Sequence, residues 1–99
     1  MYSVYIVTDP LEHFTKIGMT KDMKGRLADL QTGNPIELIV RTMWDFCTEQ
    51  SAKDFERAIH KKYQQYRIRG EWFSDITKQE IKKINNMYNK IKEQNEERY

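Results

Sequence analysis

Two runs of β-branched and aromatic residues stand close together at the beginning of the chain, Tyr2–Thr8 and Phe14–Thr20. Residues of these types favour strands. Between them, Asp9-Pro10 favours a turn, because aspartate can bond to nearby backbone and proline fixes φ. A connection this short predicts an antiparallel hairpin, so the fold has to be built around a sheet that begins at the first residues.

Three further elements are predicted after the hairpin. Asp22 precedes a first helix, which the glycine and proline of Thr32–Pro35 terminate. Ile36–Cys47 is the most apolar run of the chain and predicts the central strand. Ser51 then caps a long helix that carries an apolar stripe. The stripe consists of Ala52, Phe55, Ile59 and Tyr66.

The segment after this helix completes the predicted sheet. Gly70 marks a turn or a helix end, and Glu71–Phe73 predicts a short buried segment that can form an edge strand. The element order is therefore ββαβα(β)α. This order predicts a small α/β domain of the α+β type, with a mainly antiparallel three-stranded sheet flanked by helices.

An amphipathic helix is predicted at the C-terminal end. Thr77 and Glu80 fit a capping box, and apolar residues follow at helical spacing. We expect this helix, in residues 76–99, to pack on the domain of residues 1–75, with Lys92–Tyr99 fraying. The alternative is a homodimer seam or a partner-binding helix. That seam would consist of Ile81, Ile84, Tyr88 and Ile91.

Composition excludes several classes of protein. The 99 residues leave room for one domain, and the single cysteine, Cys47, excludes an internal disulfide and any multi-cysteine zinc site. No run has the ~18 apolar residues of a membrane span, and the N-terminus lacks a signal-peptide pattern. The expected location is therefore the cytoplasm, without membrane association.

Basic residues are concentrated in Arg57–Arg69, which contains five of them, two tyrosines and no acidic residue. Basic side chains beside aromatic rings suit a nucleic-acid backbone and its bases. A solvated helix face is the alternative interpretation of the same run. The net charge of the whole chain, +2, does not decide between them.

Several short motifs occur in an order that is similar to a known family. They are Val4–Ile6, Lys16–Gly18, Arg26-Leu27, Leu30–Pro35, Glu56 with His60, and Gly70–Phe73. Together they resemble the GIY-YIG nuclease superfamily, in a branch common in phage and bacterial proteins. The resemblance covers residues 2 to about 75.

The resemblance implies a role for individual residues. Tyr5 would be the base or the water-orienting hydroxyl, Arg26 would contact the scissile phosphate, and Glu56 would hold one divalent metal ion, Mg²⁺ or Mn²⁺. Lys16 stands where the second motif usually has a tyrosine. Glu71 lies near the position where some members place an asparagine.

The chemistry of hydrolysis gives Lys16 a possible use. Tyrosine is a poor base at its ordinary pKa of about 10, and a neighbouring ammonium group lowers that pKa. If the hairpin pairs Thr8 with His13, Tyr5 lies opposite Lys16 and the two side chains share a face. A slip of one residue would place them on opposite faces.

Glu56 has two interpretations. With His60 and Tyr63 it forms a strip at i, i+4 and i+7 that borders the apolar stripe of the long helix. A carboxylate at the edge of the core can hold a metal ion that is open to substrate on one side. Read from its residues alone, the same strip favours a surface glutamate paired with a lysine or arginine, and it is the resemblance that favours metal binding.

The resemblance implies a magnesium-dependent endonuclease that hydrolyses DNA phosphodiester bonds. Because no zinc finger or helix-turn-helix pattern occurs, we expect little intrinsic sequence specificity. The alternatives are an inactive nucleic-acid-binding module of the same fold and a protein-interaction module that uses the C-terminal helix. The residues expected to contact DNA are Lys21, His60, Lys61, Lys62, Arg67 and Arg69.

Overall fold

The computed structural model describes residues 1–96 as an antiparallel sheet of five strands with three α-helices. The strands are β1 Tyr2–Thr8, β2 Thr15–Thr20, β3 Ile39–Phe46, β4 Arg67–Arg69 and β5 Trp72–Phe73. The helices are α1 Met23–Gln31, α2 Glu49–Lys62 and α3 Lys78–Glu96, with a 3₁₀ turn at Gln64–Tyr66. The predicted α+β class is confirmed, and two short strands, β4 and β5, enlarge the predicted three-stranded sheet.

The strand order is β3-β1-β2-β5-β4, so the prediction that Ile36–Cys47 supplies the central strand is wrong. This segment contributes β3, which pairs with β1 alone and forms an edge. Its apolar residues do not all face the core: Ile39 and Met43 are exposed, whereas Trp44 and Phe46 are buried. The segment Glu71–Phe73, predicted as an edge strand, contributes β5. This strand lies inside the sheet, because β4 pairs with its outer side.

The β1–β2 hairpin is shifted by two residues from the predicted register. Tyr5 lies opposite Gly18, and Lys16 lies opposite Val7. The loop is longer than predicted because the Oδ1 atom of Asp9 accepts a hydrogen bond from the backbone N–H of Phe14 at 2.9 Å. Since the shift is an even number, Tyr5 and Lys16 still share one face of the sheet.

The two faces of the sheet carry layers of different thickness. On one face, α2 and α3 cover a large core that includes Val4, Trp44, Phe55 and Ile84. On the other face, α1 covers a small cluster made of Tyr5, Val7 and Leu38, with partly buried residues of α1 packed against it. Tyr5 therefore belongs to the thinly covered face.

The helix starts follow the capping chemistry that the sequence indicates, with one correction. Asp22 caps α1 by accepting a hydrogen bond from the backbone N–H of Gly25 at 3.1 Å. The cap of α2 is Thr48, whose Oγ1 accepts from the backbone N–H of Ser51, so the predicted cap at Ser51 is wrong by three residues. Tyr66 also lies outside α2, in the 3₁₀ turn.

The apolar stripe of α3 packs on the large core. Ile84 is fully buried, and Ile81, Tyr88 and Ile91 are partly buried against the same core. The structure therefore gives no support to the alternative in which these four residues form a dimer or partner seam. The helix continues to Glu96, past the predicted start of fraying at Lys92, and residues 97–99 of that prediction lie outside the described residues.

None of the helices described in residues 1–96 combines the length and the apolar character that crossing a bilayer requires.

Candidate functional site

Polar side chains from several elements meet where β5 stops pairing with β2. The backbone N–H of Ile17 donates to the carbonyl oxygen of Glu71, the residue that precedes β5, at 3.0 Å. Beside this point α2 presents Glu56 and His60, which lie one turn apart and border its buried stripe. The His60 Nε2 atom lies 2.8 Å from the carbonyl oxygen of Ile17, and this contact ties α2 to β2.

Two carboxylates and one imidazole form the centre of the site. One oxygen each of Glu56 and Glu71 and one ring nitrogen of His60 all lie within 4.8 Å of one another. All three residues are partly buried, and this closeness makes them a set that could hold a metal ion. The Nζ atom of Lys16 lies 3.3 Å from the Oε1 atom of Glu71 and offsets part of the negative charge.

The proximity of the two carboxylates changes the acidity of Glu56. Burial, followed by the charge and hydrogen bonding of Glu71, raises the pKa of Glu56 to about 7, while Lys16 and Arg57 oppose the shift. A carboxylate forced close to another one favours a proton, or another cation, between them.

Tyr5 reaches the same site from β1 by lying across Gly18. A Cβ atom on Gly18 would stand 2.5 Å from the Tyr5 hydroxyl oxygen, so only glycine leaves room for the ring at this position. Burial, then the carboxylate of Glu71, raises the pKa of Tyr5 to about 12. Arg26, exposed on α1, acts in the opposite direction, and Glu56 raises the pKa further.

The predicted effect of Lys16 on Tyr5 is therefore wrong. Lys16 pairs with Glu71, and its Nζ atom lies 5.6 Å from the centroid of the Trp72 ring. The cation that lowers the pKa of Tyr5 is Arg26, and it does not outweigh burial and the carboxylates. The two-residue shift of the hairpin explains this difference, because it places Gly18 rather than Lys16 opposite Tyr5.

The structure brings Tyr5, Lys16, Arg26, Glu56 and His60 together and places the other predicted contacts on several different elements. Those other residues are Lys21, with its Nζ atom 5.0 Å from the centroid of the Tyr2 ring, Lys61 and Lys62 at the end of α2, and Arg67 and Arg69 on β4. Because α2 ends before the last two, the basic run does not form a single helix face.

Glu71 is the member of the site that the sequence left as an open candidate, near the position where some relatives place an asparagine. It stands in the tight β4–β5 turn, directly after Gly70, which has a φ of 55°. Glycine adopts this left-handed conformation at little cost, so Gly70 marks the turn that directs Glu71 toward β2. The sequence signal for this position is the Gly70-Glu71 pair, which indicates a turn that carries a carboxylate. The sequence does not show that this carboxylate lies near Glu56, because that depends on the pairing of β5 with β2.

A model of the T5orf172 domain matches residues 2–89 of the chain. The chain therefore belongs to the T5orf172 domain family, a phage-associated family related to nucleases. The match continues past residue 75 into α3. No curated protein matches the chain, and no solved structure does.

Proposed function

We propose that this protein is a metal-dependent endonuclease of the GIY-YIG type that hydrolyses DNA phosphodiester bonds. The observation that carries the proposal is the pair of carboxylates, Glu56 and Glu71, beside the hydroxyl of Tyr5 and the guanidinium of Arg26. Membership in a nuclease-related family supports the same class of activity. Tyr5 belongs to the motif Val4–Ile6 and Gly18 to the motif Lys16–Gly18. The close packing of the Tyr5 ring on Gly18 gives a physical reason for the two motifs to occur together.

The donor atoms of the site fit Mg²⁺ or Mn²⁺. A carbonyl oxygen only accepts, so the 2.8 Å contact with Ile17 assigns the proton of His60 to Nε2 and removes that atom as a ligand. Glu56 and Glu71 remain as oxygen ligands, which hard divalent cations prefer. When bound, such an ion supplies charge neutralisation on the phosphoryl oxygens and assistance to the leaving oxygen.

The chain's own residues would divide the remaining work. Arg26 presents a permanently charged planar fork to the scissile phosphate. The hydroxyl of Tyr5, held in place by the fit to Gly18, orients the attacking water. Lys16 holds the carboxylate of Glu71, and His60 fixes α2 against β2 through the Ile17 carbonyl.

Substrate would be held by basic side chains around the site. Contacts with phosphates contribute affinity without reading sequence. The side chains proposed for this role lie after β2, on α2 and on β4: Lys21, Lys61, Lys62, Arg67 and Arg69. This arrangement agrees with an enzyme that has little sequence preference.

A plasmid-nicking assay with Mg²⁺ or Mn²⁺ tests the proposal. We expect wild-type protein to nick supercoiled DNA, and Glu56→Gln and Tyr5→Phe to lower the rate by about 100-fold or more. Glu93→Gln is the matched control, because it removes the same charge from an exposed position on α3. Circular dichroism and thermal melting establish that each variant is folded.

Two results would contradict the proposal. Nicking that survives Glu56→Gln at the wild-type rate would assign the activity to another site or another protein. Binding of DNA by folded wild-type protein without cleavage of supercoiled, branched or single-stranded DNA would identify an inactive binding module. In that case affinity would fall steeply with salt and would not depend on metal.

A further inference from the structure

A cleft of about 310 Å³ opens next to the candidate site. Its walls include Leu38 and Trp72 of the thinly covered face, together with Phe14, Ile36 and Ile68. The last three are large apolar side chains that are between 51% and 52% exposed. Apolar surface gathered around a concavity is typical of a ligand site, because leaving it in water costs free energy.

Trp72 connects this cleft with the candidate site. Its ring lines the cleft, and the Nζ atom of Lys16 lies 5.6 Å from the centroid of the same ring. Lys16 in turn is 3.3 Å from Glu71. A molecule in the cleft would therefore be separated from the carboxylate pair by two side chains, Trp72 and Lys16.

One exposed cation in the wall of the cleft suits an occupant that is attached to phosphate. Arg69 lies in its wall, and Lys16 stands behind Trp72. The carboxylate of Asp9 also lines it, but this group accepts a hydrogen bond from Phe14 N–H and pairs with His13 at 3.5 Å. Lys16 is already paired with Glu71. Burial opposes ionisation of Asp9, but the backbone hydrogen bonds that it accepts hold the pKa of its carboxyl below the ordinary value, so Asp9 stays anionic. Asp9 is only 7% exposed, whereas Arg69 is the exposed charged group of this wall.

We propose that the cleft holds one unpaired nucleobase of the DNA strand that crosses the candidate site, an inference that rests on the proposed function. Bases released from a duplex stack on aromatic side chains, and Phe14 and Trp72 supply such surfaces here. The volume suits one heterocycle rather than a longer segment.

The proposal gives the enzyme a structural preference in place of a sequence preference. DNA with a bulged, branched or single-stranded nucleotide presents a base without the cost of extruding it from a duplex. A fully paired duplex must first unstack and unpair a base, which opposes binding. Cleavage would therefore fall next to an unpaired nucleotide.

Fluorescence binding measurements without divalent metal test the cleft separately from catalysis. The probe is 2-aminopurine as the single unpaired base of a bulged duplex, compared with the same duplex carrying an abasic bulge. Wild-type protein should quench the probe and bind the bulged base about tenfold more tightly, because stacking on aromatic side chains is worth that much. Phe14→Ala and Ile68→Ser should remove most of the preference, and Leu11→Ala, an exposed apolar control, should keep it.

The outcomes separate this inference from the proposed function. Equal affinity for the bulged base and the abasic bulge, or an unchanged preference in both cleft variants, would overturn the cleft as a base site. A preference that depends on Phe14, in a protein that cleaves no DNA, would support the cleft and reject the nuclease. Cleavage without any such preference would reject the cleft alone.

Discussion

The two faces of the sheet differ in how much protein covers them. The face under α2 and α3 buries a core of aromatic and branched residues, among them Phe55, which packs edge-on against Trp44 and Tyr88. The face under α1 buries three residues, and the cleft opens beside them. Stability is therefore concentrated on one side of the sheet, while the other side leaves space for a ligand.

The candidate site uses both faces. Glu56 and His60 come from the thickly covered side, whereas Tyr5 and Lys16 project from the thinly covered side. The rigid side can hold charged groups close together against their repulsion. The thin side leaves the cleft open, while the Tyr5 side chain itself stays buried. This division predicts different responses to mutation on the two faces.

Truncation of the core should have the largest effect on stability. Phe55→Ala should lower the free energy of unfolding by about 3–5 kcal/mol, because it leaves a large cavity under two helices. Leu38→Ala should cost about 2 kcal/mol, near the low end for such changes, because one short helix can settle into the space. Urea unfolding monitored by circular dichroism measures both values, and equal losses would contradict the contrast between the faces.

Gly18→Ala should have the next largest effect, because it removes the space that the Tyr5 ring occupies. We expect a loss of about 1–3 kcal/mol in the free energy of unfolding and a loss of nicking like that of Tyr5→Phe. The new methyl group stands 2.5 Å from the hydroxyl oxygen and 2.7 Å from the ring carbon that carries it. The cost should therefore be smaller in a Tyr5→Phe background, and a cost that does not change would disprove this contact.

The smallest effect is expected at the hydrogen bond that joins the end of α2 to α3. The Tyr63 hydroxyl donates to the Oε2 atom of Glu80 at 2.8 Å, and this bond, with Lys83, holds the pKa of Glu80 below its ordinary value of 4.5. A lowered carboxyl pKa contributes stability above the ordinary pKa and loses it as pH falls through the folded value.

Tyr63→Phe should therefore cost about 1 kcal/mol at pH 7 and progressively less as the pH falls below 4.5. Urea unfolding of both proteins over this pH range measures the difference. A cost that remains constant with pH would show that packing of the ring, rather than the bond to Glu80, determines the result.

Local signals predicted the parts of the fold that local chemistry controls. The bounds of β1 follow its β-branched and aromatic residues, and α1 begins directly after Asp22 as expected. The position of β3 could not be predicted, because apolar content does not identify a strand's neighbours. The first residues of the predicted strand, from Ile36 to Leu38, lie before β3. The side chain of Gln31 bonds to the backbone of Ile36 and Leu38 at 2.8 Å and holds them outside the sheet.

The sequence predicted most residues of the candidate site, but it did not predict the contacts between them. The resemblance named Tyr5, Arg26 and Glu56, and the structure brings them together. The partner of Lys16 could not be read from the sequence, because the Lys16–Glu71 contact depends on the pairing of β5 with β2. A register shift of two residues preserves the face of a side chain and changes its neighbour, which is why the predicted Tyr5–Lys16 interaction is wrong.

The distribution of the site along the chain has a consequence for folding kinetics. Its groups come from β1, β2, α1, α2 and the β4–β5 turn, so contacts of long sequence separation must form before the site exists. Such contacts close large loops and form slowly compared with helices and turns. Recovery of activity after dilution from denaturant would therefore report the last steps of folding, later than the return of helical signal.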